Sequence, residues 1–411
     1  MRKFGLVGEK LGHSFSPGIH AMLSDYEYKL YEIPQEGITE FLTNGDFNGL
    51  NVTMPYKKAA LTLCRTLSDA AKRIGSVNTV IRQSDGTLFG DNTDYFGFRR
   101  LLEKTGVDVS GKKALVFGSG GASAAVNTVL NDCGAGEIVT VSRKGPDNYG
   151  NIANHSDAAV IVNTTPVGMY PYNGATPAAL SVFVSCEAVL DVVYNPVKTE
   201  LILQAEDMGV LCAGGLYMLV AQAKRACELF AGIDLPDALI EDVSAAIELE
   251  MKNVALIGMP GCGKTTVGKR LAELSNREFH DTDAIVEANA GKSIDRIFAE
   301  DGEAAFRDLE EAALREISKQ SGRVIATGGG IVNRAANRRS LRQNSVVVFL
   351  DRAPGELPTE GRPLSVSRGA DALYRERAPL YLKWRDKIIT TGGGVEQTAR
   401  AVYDTIFSGS R

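Results

Sequence analysis

The sequence predicts an α/β protein of more than one unit, built from alternating strands and helices. Three observations carry this. Short apolar runs recur along the chain, each closed by glycine or small polar residues and followed by a helix-period stretch, the pattern of mostly parallel sheets. One such run, Ala114-Leu115-Val116-Phe117, opens into Gly118-Ser119-Gly120-Gly121-Ala122 and a helix through Leu130. Another, Val254-Ala255-Leu256-Ile257, opens into Gly258-Met259-Pro260-Gly261-Cys262-Gly263-Lys264-Thr265-Thr266 and a helical stretch from Val267 to Leu274.

The last of these fits G-x-x-x-x-G-K-[ST], a phosphate-cradling loop. Its glycines let successive N–H groups face a triphosphate, and the following helix adds its partial positive charge. Lys264 would reach the outer phosphates and the Thr265 hydroxyl would hold Mg²⁺.

Bulk properties narrow the function further. A chain of 411 residues exceeds one ordinary core, so two or three domains are expected. Net charge is −5 with no long Lys/Arg run, which argues against nucleic acid or an anionic membrane as main partner. Met1 to Gly12 has no long apolar core, so neither a signal peptide nor a membrane span is expected. The 6 cysteines contain no C-x-x-C pair and the 4 histidines no ligand-spaced cluster. Reduced cysteines in a cytoplasmic protein without structural zinc are the expectation.

In chain order, a first strand at Lys3 to Gly8 precedes Gly12-His13-Ser14-Phe15-Ser16-Pro17, in which two hydroxyls could face one polar ligand. Gly49-Leu50-Asn51-Val52-Thr53-Met54-Pro55-Tyr56-Lys57 places Asn51 and Thr53 on one face of a strand end, closed by Pro55. An edge strand followed by a solvated Lys57 is the bland alternative. Gly75 to Val80, with Asn78, and Gly90-Asp91-Asn92-Thr93-Asp94 add short polar side chains at strand ends, although Asn92-Thr93-Asp94 also reads as a helix cap. Four such clusters within about a hundred residues suggest a polyol pocket.

The glycine turn at 118–122 resembles a dinucleotide-binding fingerprint, with Ala122 or Ser123 near where a third small residue is wanted. The next strand, Glu137 to Val141, ends in Ser142-Arg143-Lys144 rather than an acid, and a guanidinium there suits a 2′-phosphate, so NADP(H) is preferred over NAD(H). Further strands end at Asn163-Thr164-Thr165-Pro166 and at Tyr194-Asn195-Pro196, and a helix opens at Gly214-Gly215 and carries Gln222.

Taken together, H-S-F-S-P, N-V-T-M-P-Y-K, G-S-V-N-T, D-N-T-D, G-S-G-G-A, N-T-T-P-V-G-M, D-V-V-Y-N-P and G-G-L-Y-M-L-V-x-Q make residues 1–248 resemble shikimate dehydrogenase over that family's length. The resemblance implies a substrate subdomain (1–100 and about 216–248) and a Rossmann-type NADP subdomain (101–215). It implies Ser14, Ser16, Asn51, Thr53, Asn78, Asp94, Tyr194 and Gln222 around the substrate, with Lys57 and Asp94 as the catalytic pair. Gly118, Ser119, Gly120, Gly121, Ala122, Ser142, Arg143, Lys144, Val192 and Gly215 would line the cofactor. The family often has Asn-Arg-Thr where this chain has Ser142-Arg143-Lys144.

A helix from Pro236 to Met251 follows, with no Gly/Ser-rich linker, so the join is short. Beyond the phosphate loop, Asp281 and Asp283 share one side of a strand end, suited to Mg²⁺ and a hydroxyl or, alternatively, to capping a helix. Phe306 to Glu311 lies on a charged helix whose side chains read as mostly surface, with Arg307 a candidate carboxylate clamp. Gly328-Gly329-Gly330 ends a strand and permits close backbone approach. Asp351 reads as a strand end, and Gly392-Gly393-Gly394 as a simple turn.

The motifs G-M-P-G-C-G-K-T-T, D-T-D, F-R-D-L-E, G-G-G, G-R-P-L and R-A-P-L-Y make residues 252–411 resemble shikimate kinase, a P-loop α/β domain with a parallel sheet. The resemblance implies Asp283, Arg307, Gly328, Gly329, Gly330 and Arg377 at the substrate. Gly261, Cys262, Gly263, Lys264, Thr265, Thr266 and Arg362 would bind ATP, with Lys264 and Asp283 catalytic, Thr265 on Mg²⁺ and Asp281 in the metal's outer shell. The 351–362 segment, shorter than in many members, would form the lid. Both halves then point to one small molecule: NADPH-dependent reduction of 3-dehydroshikimate to shikimate, followed by its ATP-dependent phosphorylation. The rivals are a quinate-type dehydrogenase joined to another small-molecule kinase, or a half that acts as a module without turnover.

Overall fold

A computed structural model describes residues 2–12, 14–357 and 370–408. The chain divides into two compact units, one of Met1–Asn195 with Thr199–Ile247 and one of Pro196–Lys198 with Glu248–Arg411.

The first unit holds two sheets. Strands β1 (Phe4–Gly8), β2 (Tyr28–Glu32), β3 (Gly49–Val52), β4 (Thr66–Leu67), β5 (Thr79–Arg82) and β6 (Leu88–Asp91) form one in the order β2-β1-β3-β5-β6-β4. This sheet is mixed rather than mostly parallel, because β5 runs antiparallel to both β3 and β6. The cause is local: Asp85-Gly86 turns the chain, with Gly86 at φ +82, and Gln83 and Thr87 close the hairpin. Strand β3 lies between β1 and β5, so the edge-strand alternative fails. Its four residues are all buried, and Leu50 and Val52 join Leu42, Phe47 and Val80 in one apolar cluster.

The second sheet is wholly parallel, with β7 (Lys113–Phe117), β8 (Glu137–Val141), β9 (Val160–Asn163), β10 (Ala188–Asp191) and β11 (Leu211–Ala213) in the order β11-β10-β9-β7-β8. Connections leave β7 and β9 in opposite directions, which opens a crevice at their carboxyl ends. Helices Thr93–Thr105 and Leu216–Ala231 pack against each other, and Phe98, Leu101 and Met218 join the sheet residues Val116 and Val162 in one core. Each such fully buried Leu or Phe contributes about 1.5–3 kcal/mol.

Helix Ala238–Met251 begins in the first unit, passes into the second after Ile247 and leads into β12 (Asn253–Ile257). With β13 (Glu278–Asp281), β14 (Arg323–Ala326), β15 (Ser345–Asp351) and β16 (Lys387–Thr390) it forms a parallel sheet in the order β13-β14-β12-β15-β16. Strand β12 is buried along its whole length, so its residues Val254 to Ile257 read as a continuous apolar run. Among the described residues no helix is long and apolar enough to cross a membrane.

Candidate active sites

In the first unit the polar strand ends converge on a cleft of about 510 Å³. Ser14, Ser16, Asn51, Thr53, Asn78 and Gln222 all line it, with Lys57, Asp94 and Tyr194. Ala122, Val192 and Gly215 reach the same space from the Rossmann-type side. His13 lies outside the described residues. Lys57 opens helix Lys57–Leu63 and Asp94 sits in the first turn of helix Thr93–Thr105, so each is held at a helix start. Lys57 Nζ donates to Asp94 Oδ2 at 2.6 Å.

Beneath these side chains a hydrogen-bonded chain fixes which amide ends can face a ligand. The Thr93 N–H, which can only donate, gives to Asn78 Oδ1 at 2.7 Å. Thr79 Oγ1 gives to the same oxygen at 3.1 Å and accepts from Asn51 Nδ2 at 3.1 Å. Tyr28 supplies the other end, its hydroxyl donating to Asn51 Oδ1 at 2.7 Å while its ring stacks on His20 at 3.9 Å. Burial lowers the His20 imidazole to about 3, so this ring is neutral. Thr93 Oγ1 reaches Gln222 Oε1 at 3.2 Å. Thr93 Oγ1 also reaches Asn78 Oδ1 at 3.2 Å, but that oxygen already has two donors, which assigns the Thr93 proton to Gln222. The Asn78 amide nitrogen then faces the cleft as a donor, while Gln222 Nε2 gives one proton to the Leu219 carbonyl at 3.0 Å and keeps the other. Asn92 stands at the helix N-cap but makes no side-chain cap there; its amide donates to Ser76 instead. The capping alternative for this cluster therefore fails at Asn92.

The remaining cofactor candidates do not line the polar cleft; they follow the carboxyl ends of β7 and β8. Gly118 follows β7 at φ +107, and a Cβ there would come within 2.6 Å of Thr164 Oγ1. Helix Gly121–Asp132 starts at the Gly118–Gly121 turn, and a Cβ on Gly121 would sit 3.7 Å from Lys57 Cδ. Ser119 and Gly120 complete that turn, and Ser142, Arg143 and Lys144 follow β8. Gly215 admits no side chain, because a Cβ would overlap the Val192 carbonyl.

The second unit holds a separate cleft of about 650 Å³. Gly261, Gly263, Lys264, Thr265 and Thr266 line one part. Asp283, Arg307, Gly328, Gly329, Gly330 and Arg377 line another. Gly258, Gly261 and Gly263 have φ of +147, +85 and +99, the backbone that wraps the loop, and Lys264 Nζ donates to the carbonyls of Gly258 and Met259 at 2.9 Å each. Cys262 does not line this cleft: its side chain is buried, and it borders a small cavity of about 120 Å³ with Thr266, Thr391 and Gly392. The second glycine triplet, read from sequence as a simple turn, thus lies close to the phosphate loop. Arg362 lies outside the described residues.

Thr265 Oγ1 donates to Asp281 Oδ2 at 2.7 Å, and Asp281 Oδ1 accepts the Asp283 N–H at 3.0 Å. Asp281 therefore caps helix Thr282–Ala290 with one oxygen while its other oxygen faces Thr265. A hydroxyl and a carboxylate beside a phosphate loop are hard oxygen donors of the kind Mg²⁺ takes. Among the described residues no group of three or more His, Cys, Asp or Glu is placed to hold a metal. Phosphate oxygens would complete the shell of a cation held here.

Arg307 is buried, with Nη1 donating to Glu310 at 2.7 Å and Nη2 to Glu303 at 3.1 Å. Arg377, 1% exposed, donates to the Gly329 carbonyl at 3.2 Å. Burial pushes Asp283 up to about 6, helped by the charges of Asp281 and Glu310 and opposed by Lys264 and Arg307. Its Oδ1 has no partner, and a Cβ on Gly328 would approach it to 2.8 Å. Sequence alone puts Glu310 among the surface charges; instead it is fully buried, and burial raises its carboxyl against the pull of Arg307 and Arg377. The signal that marks it is the i+3 spacing from Arg307. Asp308 and Glu311, by contrast, pair outward with Arg334.

The first unit's relatives decide its family. Shikimate dehydrogenase (NADP(+)) of Clostridium perfringens strain SM101 is 37% identical over 264 residues, covering 59% of this chain and 97% of the relative. The chain belongs to the shikimate dehydrogenase family. The family's substrate-binding domain matches residues 6–80. Among solved structures, the shikimate 5-dehydrogenase of Thermus thermophilus, in complex with NADP(H) and shikimate, aligns at TM-score 0.54 and 32% identity, covering 60% of this chain and 99% of that one. The chorismate mutase/shikimate 5-dehydrogenase fusion protein of Clostridium acetobutylicum aligns at TM-score 0.58 and 34% identity, covering 60% and 97%. Behind the dehydrogenase, residues 260–407 match the shikimate kinase family. The chain is a bifunctional enzyme, a shikimate dehydrogenase joined to a shikimate kinase.

Proposed function

We propose that the dehydrogenase half reduces 3-dehydroshikimate to shikimate with NADPH, and that the kinase half phosphorylates the shikimate with Mg-ATP. Residues 1–100 and about 216–248 hold the substrate and 101–215 the NADP(H), whose nicotinamide supplies the hydride. The observation that carries the reading is the pairing of two clefts in one chain: a Lys–Asp pair among amide donors and hydroxyls, and a phosphate loop facing two buried arginines.

In the first cleft, hydride arrival turns a ketone oxygen toward an alkoxide, and the Lys57 ammonium gives it a proton while Asp94 holds the lysine in place. The amide donors of Asn78 and Gln222, with the hydroxyls of Ser14, Ser16, Thr53 and Tyr194, suit the oxygens of a polyhydroxy ring acid. Arg143 and Lys144 suit a 2′-phosphate. In the second cleft, Arg307 and Arg377 hold the ring carboxylate, and Asp283 takes the proton of the attacking hydroxyl. Lys264 and the loop N–H groups draw the outer phosphates, with Thr265 and Asp281 holding the Mg²⁺.

A substrate panel tests the assignment. 3-Dehydroshikimate and 3-dehydroquinate are each offered with NADPH or NADH, and shikimate and quinate with ATP. The expected preference is for 3-dehydroshikimate, NADPH and shikimate; preference for the quinate series would overturn it.

A further inference from the structure

We infer that Asp191 is a positioning residue of the dehydrogenase, a buried carboxylate that holds the cofactor-facing and substrate-facing loops in register; the inference rests on the dehydrogenase reading above. Asp191 ends β10, does not line the cleft, and is 0% exposed. Three donors from three segments converge on it. Oδ1 accepts the Val193 N–H at 3.0 Å and Asn163 Nδ2 at 3.0 Å, and Oδ2 accepts Thr199 Oγ1 at 2.6 Å. Asn163 and Thr199 are themselves buried. A carboxylate taken wholly out of water is costly unless donors compensate, and here burial pushes it up to about 7 against their combined pull.

Each donor leads to a different part of the site. Val193 lies between Val192 and Tyr194, which both line the cleft, and its carbonyl accepts from the Gly215 N–H at 2.9 Å. The Val192 carbonyl packs against Gly215 so closely that no Cβ fits. On the other side, Asn163 Oδ1 accepts from Thr165 N at 3.0 Å and Thr165 Oγ1 at 2.7 Å. The adjoining Thr164 packs on Gly118, the first residue of the dinucleotide turn. Thr199 caps helix Glu200–Met208 and leads to neither loop. One carboxylate therefore ties Gly118 to Gly215 and Tyr194, and a shift in it moves both ligands' contacts together. An amide of the same shape offers one acceptor oxygen to three donors and turns an NH₂ toward one of them.

Asp191→Asn and Thr199→Val are measured in the full chain. Asp191→Asn raises KM for NADPH about tenfold or more, since small misplacements of bound reactants cost that much, while shikimate phosphorylation by the same chain stays at the wild-type rate. Thr199→Val removes the hydroxyl that donates to Asp191 and accepts the Ile202 N–H, but touches neither ligand loop, so it lowers Tm and leaves KM for NADPH within about twofold. Where Asp191→Asn yields no folded dehydrogenase by near-UV circular dichroism, Asn163→Leu cuts only the link to the cofactor loop and carries the same expectation. A wild-type KM for NADPH in whichever of these is folded, or an equal rise in Thr199→Val, overturns the inference. A wild-type chain inactive toward 3-dehydroshikimate and NADPH would sink the dehydrogenase reading instead, so the two failures are distinct.

Discussion

Lys57 Nζ lies 2.6 Å from Asp94 Oδ2, with the two side chains 19% and 13% exposed. A pair this sheltered keeps its geometry without being cut off from substrate. Lys57→Met is therefore expected to lower kcat for dehydroshikimate reduction at least about a hundredfold while substrate still binds. Steady-state kinetics alongside a binding titration checks this, and near-normal turnover would remove Lys57 from the mechanism.

Arg307 meets Glu310 on one side and the glycine triplet on the other, where a Cβ on Gly330 would overlap its guanidinium. Arg307→Ala should raise KM for shikimate far more than KM for ATP. It also strands the Glu310 carboxylate, at about 3–5 kcal/mol of stability, so Tm is read on the same sample. Equal effects on both KM values would argue against a carboxylate clamp.

Asp283 titrates at about 6 in the fold, against an ordinary 3.8, chiefly through burial. As a base it must be ionised, so kcat/KM for phosphorylation should fall about tenfold per pH unit below 6 and level off above it. The sign for stability is opposite. A raised carboxyl pKa means that the ionised form costs the fold stability above pH 6, and the cost fades as pH drops toward 3.8. Asp283→Asn should then melt higher than wild type at pH 7 although inactive, and a lower Tm would contradict the burial argument.

Thr93 directs the amides of both Asn78 and Gln222. Thr93→Val keeps the backbone donor but drops the hydroxyl, and KM for dehydroshikimate should rise about tenfold, the worth of one lost buried hydrogen bond. Thr93→Ser should restore it, and KM for NADPH should not move. A rise in both KM values would mean that Thr93 merely supports the fold.

Much of this architecture is legible in the sequence because ligand-facing residues cluster at strand ends beside glycine or proline, where spacing is least ambiguous. The phosphate loop, Asp281 and Asp283, and the polar ends of β1, β3, β6 and β9 are of that kind. The rest is hidden for identifiable reasons. The antiparallel β5 depends on the Asp85-Gly86 turn, which sits between two strands too short to show a period. Glu310 and Asp191 are carboxylates, and composition puts carboxylates at the surface; the burial of Asp191 is made tolerable by donors that include Asn163 and Thr199, and that of Glu310 by Arg307 one helical turn before it. Thr79 and Tyr28 act through another side chain rather than on a ligand, and no local pattern marks such a role.

One reaction mixture tests the central claim most directly. Purified chain is given 3-dehydroshikimate, NADPH and Mg-ATP, and NADPH loss and ADP formation are followed together. Both signals should appear, ADP lagging NADPH loss. Lys57→Met should abolish both, with added shikimate restoring ADP formation alone, and Lys264→Met should abolish only the second. ADP formed from 3-dehydroshikimate without NADPH consumption, or NADPH loss with no ADP even when shikimate is supplied, would contradict a two-step enzyme acting on one ring acid.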